Sequence, residues 1–306
     1  MSQHHDFEEE LHVLPPPPSV HIPTGEKLTR LCTEEVMGYS KHLAYPTRAP
    51  QLWIKYGCSV LRNEVPAQMM AYHGLQQLQS PVRVPKVYYT CRYMHVSYIV
   101  MEYIPGKTMG QLLKEHPTRK QDICNLVAFG LQELLRIPVP PDARPAGIDG
   151  GAIRHPLFDD STAPLDYQNV SELDTSKRGN PWIRITRQST PAKNLAYEPM
   201  VFCYGDIWPE NFILDLDRRL VTIIDFAIAS ILPSSFAKHA LRSVKIDVNL
   251  DELVKVPTTD GVDNFGALCS AQVCMVQGAG SFAPCGRRIL GRPKVPSTIP
   301  PPLDGW

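Results

Sequence analysis

The sequence predicts an α+β fold, and three observations carry that prediction. Two adjacent runs rich in β-branched and aromatic residues, "KVYYTCRY" and "VSYIVMEYI", have the composition of a β-hairpin. A second strand–turn–strand pattern lies in "FILDLDRRL" followed by "VTIIDFA". Between the start of the chain and the first hairpin, "RNEVPAQMMAYHGLQQL" spaces Val65, Met69, Tyr72, Leu75 and Leu78 as one helical stripe. With 306 residues, 43% of them hydrophobic, the chain can bury one large core or two modest ones.

In chain order, residues 1–25 are acidic and then proline-rich ("LPPPPSV") and read as a flexible leader. Residues 26–42 carry Leu28, Leu31, Val36 and Met37 near helical spacing, with Thr33 before Glu34 and Glu35 as a helix start. "QLWIKYG" is a short strand ending at Gly57, and Pro66 falls in the first turn of the helix that follows, where its missing N–H costs little. After the hairpin, "PGKT" leads into the helical "MGQLLKEHP", and a further helix covers residues 121–136. From 137 to 199 prolines, glycines and charges break every period, too long a stretch for a simple connection. "VFCYGDI" is a short apolar segment, and "SSFAKHALRSV" a short helix after Pro233. The organisation expected is a leader (1–25), a first lobe (26–104), a second lobe (105–255) and an irregular tail (256–306).

Charge and cysteines exclude several classes. Lys+Arg and Asp+Glu are equal at 31 each, which argues against a protein whose partner is nucleic acid or an anionic membrane. "MSQHHDFEEE" lacks the apolar core of a secretory signal, and the apolar stretch 87–104 is interrupted by Arg92, His95 and Glu102. A cytoplasmic protein is expected. The eight cysteines contain no C-x-x-C pair, so they read as free thiols rather than a zinc site. His95 and His155 stand alone and read as surface or packing residues.

The chemistry concentrates in "CYGDIWPENFILD" and "VTIIDFAIAS". Phosphoryl transfer from Mg·ATP needs one carboxylate beside the attacking hydroxyl, and a second carboxylate with a carbonyl-type oxygen for Mg²⁺. Asp206, Asp225 and Asn211 supply that set: a five-residue loop lets Asp206 and Asn211 face one cavity, and the hairpin through "DLDRRL" returns Asp225 beside Asn211.

This order and spacing resemble the catalytic loop of the protein kinase-like superfamily, most closely the aminoglycoside phosphotransferase-like small-molecule kinases (with choline kinase-like members) and especially their divergent fungal members. That family shows H-G-D-x-x-P-x-N and then I-I-D-F; here the residues are Tyr204, Gly205, Asp206, Pro209 and Asn211, then Ile223, Ile224, Asp225 and Phe226. The resemblance runs over residues 24–241. It implies a bilobal fold, a small β-sheet-plus-helix N-lobe and a mainly helical C-lobe, with ATP between them. It further implies that Asp206 is the catalytic base and that Asn211 and Asp225 hold Mg²⁺. Lys55 would contact the ATP α/β-phosphates while paired with Glu64, and the backbone around Met101, Glu102 and Tyr103 would hydrogen-bond adenine. The implied activity is a kinase reaction on an alcohol group of a small-molecule substrate. A catalytically weak binding module of the same fold and a protein kinase are the alternatives, the latter disfavoured by Gly205 and by the lack of an A-P-E segment. The chain departs from the pattern at Tyr204, in place of histidine, and in having no G-x-G-x-x-G before Lys55.

Overall fold

The first lobe is an antiparallel sheet crossed by one long helix. The computed structural model describes residues 8–32, 40–58, 60, 62–163, 166–173, 195–243, 249–269 and 272. Its elements are β1 (Glu8–His12), α1 (Gly25–Leu31), β2 (Lys41–Tyr45), β3 (Leu52–Gly57), α2 (Glu64–Gln77), β4 (Val87–Tyr93) and β5 (Val96–Glu102). The strands form one five-stranded sheet in the order β1–β4–β5–β3–β2, antiparallel throughout. Strands β4 and β5 are the hairpin expected from composition, with Tyr93 opposite Val96. The stripe 65–78 is α2.

Two expectations need correction here. Of the helix predicted over 26–42, the described residues show α1, capped by Thr24, which accepts the Lys27 N–H at 3.4 Å. Lys41–Tyr45 is a strand instead, because it pairs residue by residue with β3, from Lys41 opposite Tyr56 to Tyr45 opposite Leu52. Thr33, Glu34 and Glu35 lie outside the described residues. The leader expected to be flexible supplies β1, whose Leu11 and His12 pair with Thr90 and Tyr89. Val13 N–H then donates to the Tyr88 carbonyl at 2.9 Å, and Leu14, Val20 and Ile22 pack on the sheet core. An unpaired edge of β4 is what recruits this segment.

The second lobe runs through β6 (Lys107–Thr108), α3 (Met109–Glu115), α4 (Lys120–Leu135), β7 (Ala146–Gly147), α5 (Val170–Leu173), β8 (Met200–Tyr204), β9 (Phe212–Asp215), β10 (Leu220–Ile223), β11 (Ala229–Pro233), α6 (Ser234–Arg242) and α7 (Leu250–Leu253). Helix α3 starts with a capping box: Gln111 N–H donates to Thr108 Oγ1 at 3.3 Å, and Thr108 N–H donates to Gln111 Oε1 at 2.9 Å. Helix α4 buries Ile123, Cys124, Val127, Leu131 and Leu134, a single face at helical spacing. Two three-stranded sheets, β10–β9–β6 and β7–β11–β8, frame the segment 205–211 between them. The core around α4 also takes in Ala67, Ala71 and Leu75 of α2, so the helix of the first lobe is buried largely against the second.

Part of the expected tail is also folded. Glu198, 5% exposed, accepts hydrogen bonds from the Ser235 N–H (2.8 Å), the Ser235 hydroxyl (2.5 Å) and the Asn264 side chain (2.7 Å), which fastens residue 264 to the start of α6. Leu268 joins the same small core. Residues 273–306 lie outside the described residues. Among the described residues no helix is long and apolar enough to cross a membrane.

His155 is a packing residue, as expected, but it is fully buried and has a histidine neighbour. Its Nδ1 accepts the Leu157 N–H at 3.0 Å, which leaves Nε2 to donate to the Phe236 carbonyl at 3.0 Å. His239 stands 5.5 Å away, ring to ring. Burial, and then the proximity of His239, push His155 down to about 3. Below pH 6.5 the unfolded chain binds a proton that the folded chain refuses, so stability falls as pH drops from 6.5 towards 3. A His155→Gln variant should lose stability at neutral pH but show a shallower fall of Tm between pH 6.5 and 4, measured by calorimetry.

Candidate active site

Lys55 lies on β3, where buried Leu52, Ile54 and Tyr56 alternate with Trp53 and Lys55 on the opposite face. Its ammonium donates to Glu64 Oε1 at 2.8 Å and to Asp225 Oδ1 at 2.9 Å. The side chains of Lys55, Glu64 and Asp225 are 12%, 2% and 32% exposed, so the pairing is shielded from water on the lysine and glutamate side. Burial works against the charge on Lys55, but Glu64 and then Asp225 outweigh it and hold the ammonium above its ordinary value. Burial pushes Glu64 up to about 7, with Lys55 opposing. The second oxygen of Glu64 is buried without a partner among the described residues.

Asp225 follows β10 with φ of +59°, in the left-handed region that few side chains tolerate. The peptide ahead of it is held from two sides. The Ile224 N–H donates to the Asn211 carbonyl at 3.0 Å, and the Tyr204 hydroxyl donates to the Ile224 carbonyl at 2.8 Å. Tyr204 is 4% exposed and lies against Phe226 (5.1 Å between centroids) and Phe212 (6.2 Å). Burial, with Asp206 adding, raises its phenol well above the usual value, so it stays a neutral donor. The tyrosine that departs from the family pattern is thus a brace on Asp225.

Asp206 and Asn211 are joined through a tight turn. The Trp208 N–H donates to the Asp206 carbonyl (2.8 Å), the Asn211 N–H to the Trp208 carbonyl (2.9 Å), and Asn211 Nδ2 to the Asp206 carbonyl (3.0 Å). Gly205 has to be glycine: its N–H donates to the Ile228 carbonyl at 2.7 Å, and a Cβ would stand 2.9 Å from both Ile228 Cγ2 and Pro156 Cδ. Burial, and then the charge of Asp225, push Asp206 up to about 6, while Asn211 and Lys55 pull the other way.

The residues expected to meet at one place do so: Lys55, Glu64 and Asp225 by direct contact, Asn211 by its bond to Ile224, and Asp206 through the turn. The hinge expectation changes in detail. The N–H groups of Glu102 and Tyr103 donate to the Lys86 carbonyl (2.8 Å) and the Gln51 carbonyl (3.1 Å), so these two donors are engaged within the protein. Met101 is buried in the sheet beside Gln68. Two aromatic residues absent from the expected set line up with Tyr103 on the Lys55 side: His42 stacks on Trp53 (4.6 Å), and Trp53 lies 6.1 Å from Tyr103. Trp53 sits two residues before Lys55 on one strand, and that alternation in "LWIKYG" was the available signal.

The donor chemistry fits a magnesium ion. Asp225 and Asn211 offer hard oxygens, and among the described residues no three His, Cys, Asp or Glu side chains cluster into a closed cage. Magnesium prefers this arrangement, keeping waters and substrate phosphates in most of its octahedron. Replacing Tyr204 with Phe should leave the Ile224 carbonyl unpaired and cost about 1–3 kcal/mol of stability in denaturant melts.

Comparison with known proteins places these elements in a wider set. Residues 59–233, more than half of the chain, match the phosphotransferase enzyme family (APH). An aminoglycoside 3'-phosphotransferase of Escherichia coli is 25% identical over 178 residues, which is 58% of this chain and 62% of that protein. The match therefore spans less than two thirds of that relative's length. Among solved structures, the GDP complex of aminoglycoside 2'-phosphotransferase-IIIa is 16% identical, with 82% of this chain and 87% of that one aligned at a TM-score of 0.46. The streptomycin–ATP complex of APH(2")-IIa is 14% identical, with 86% and 95% aligned at a TM-score of 0.43.

Proposed function

We propose that this chain, which belongs to the phosphotransferase enzyme family (APH), transfers the γ-phosphoryl group of ATP to a hydroxyl of a small molecule. The observation that carries the proposal is the placement of one buried ammonium between two carboxylates from different lobes, Glu64 and Asp225, with Asn211 and Asp206 beside them. The site residues act as follows in this reading. Lys55, kept charged by its partners, offers an ammonium to phosphate oxygens at the mouth of the cleft. Asp225 and Asn211 hold magnesium, which when bound neutralises charge on the phosphates. Asp206 orients the acceptor hydroxyl and takes its proton. The row His42–Trp53–Tyr103 supplies flat apolar faces beside which the base can stack.

Asp206 works as a base only when deprotonated, and its carboxyl is pushed up to about 6. Turnover should therefore fall as pH drops below about 6, and Asp206→Asn should lower kcat by about 100- to 10,000-fold with little change in nucleotide affinity. The test is a coupled ATP-turnover assay over a panel of hydroxyl-bearing small molecules. Aminoglycosides come first in it, because the relatives act on them. A companion thermal-shift measurement with ATP, with and without Mg²⁺, should show a metal-dependent rise that is lost in Asp225→Ala. Absence of any metal-dependent shift would sink the reading. A shift without turnover on any acceptor would favour a binding module of the same fold.

A further inference from the structure

We propose that Asn63 is a positioning residue, latching the start of α2 to the second lobe so that Glu64 stays paired with Lys55 without help from a partner. The effect on nucleotide binding rests on the function proposed above; the latch itself does not.

Asn63 stands immediately before Glu64, at the position where asparagine ordinarily caps a helix. Here its side chain makes no cap bond to its own helix. It is fully buried and reaches across the lobes instead. Nδ2 donates to the carbonyls of Ala227 (3.1 Å) and Ala229 (2.8 Å), and Oδ1 accepts the N–H groups of Ile148 (2.6 Å) and Asp149 (3.2 Å). Both donors and both acceptor sites of the amide are used, and it fits only one way round, since carbonyls face the nitrogen and N–H groups face the oxygen. The second lobe makes room for it: a Cβ on Gly147 would stand 3.1 Å from Asn63 Oδ1 and 2.9 Å from the Ala152 carbonyl.

The partners matter as much as the count. Ala227 and Ala229 lie two and four residues beyond Asp225, so the latch ties the residue before one partner of Lys55 to the segment just after the other. Beyond its far end, the chain leaving α2 is also fastened to the second lobe. The Arg83 N–H donates to the Val221 carbonyl at 2.9 Å, and the Arg83 carbonyl accepts the Ile223 N–H at 2.9 Å. With Ala67, Ala71 and Leu75 in the core around α4, the helix is held at its start, along its middle and just past its end. An outward swing of α2 that withdrew Glu64 would break all four hydrogen bonds of the fully buried Asn63 amide, including the buried one to the Ala229 carbonyl, so the Lys55–Glu64 pair is assembled in the resting protein.

Hydrogen exchange of the full chain reads the latch directly. In Asn63→Ala the amides of residues 64, 65, 67 and 68, with those of 227–229, should exchange about tenfold faster or more, with the β4–β5 hairpin unchanged. Asn63→Asp, which keeps both acceptors and loses both donors, should give the same pattern if Asn63→Ala does not fold. Calorimetry with Mg·ATP adds a second reading: affinity should fall about tenfold in Asn63→Ala, and Asn63→Ala combined with Glu64→Gln should be no weaker than Glu64→Gln alone. Unchanged exchange at 64–68 overturns the proposal, and so do losses that multiply, which would make Asn63 a general stabiliser. A wild-type protein that binds no Mg·ATP overturns the proposed function, and exchange alone then decides the latch.

Discussion

An ammonium group that is only 12% exposed has to be met by carboxylates, and in this chain they come from two other parts of the fold. Glu64 opens α2, and Asp225 closes the β9–β10 hairpin of the second lobe. Satisfying Lys55 therefore brings a strand, a helix and a loop of different lobes to one point. The demand spreads outward from there. Asp225 reaches Lys55 from a left-handed backbone, and that conformation persists because Tyr204 and Asn211 hold the preceding peptide. Asn211 in turn sits on the turn that carries Asp206. The chemistry of the cleft and the docking of the lobes are one set of contacts.

Helix α2 shows how far this coupling goes. By chain order it belongs with the first sheet, yet its apolar residues complete the core around α4, and Asn63 and Arg83 bind the chain at either end of it to the second lobe. A buried asparagine whose four hydrogen-bonding positions are all filled is costly to disturb, and it discriminates sharply against other arrangements.

Several features were legible because they depend on local rules. The β4–β5 hairpin, α2, α4 and the β9–β10 hairpin follow from periodicity and composition, and they form where expected. The spacing of Asp206, Asn211 and Asp225 was readable because a short turn and a short hairpin can return those residues only to one neighbourhood. Other features were not. Lys41–Tyr45 has no strong strand composition and becomes a strand only because β3 presents an edge to it. The acidic leader docks for the same reason on β4. That the N–H groups of Glu102 and Tyr103 are engaged by Lys86 and Gln51 could not be read from the local sequence either. Asn63 carries no signal of its own, and Trp53 only the alternation of its strand, since each matters through residues far away in the chain.

The sequence by itself determined which residue types could do the chemistry and in what local geometry, because helical stripes, turns and the short loop from Asp206 to Asn211 are set by near neighbours. Only the tertiary structure decided that Tyr204 serves as a brace, that Glu64 is buried with one oxygen unpartnered, and that Asn63 spans the lobes. Those outcomes depend on burial and on partners as many as 166 positions apart, and desolvation and long-range hydrogen bonds have no periodicity to read.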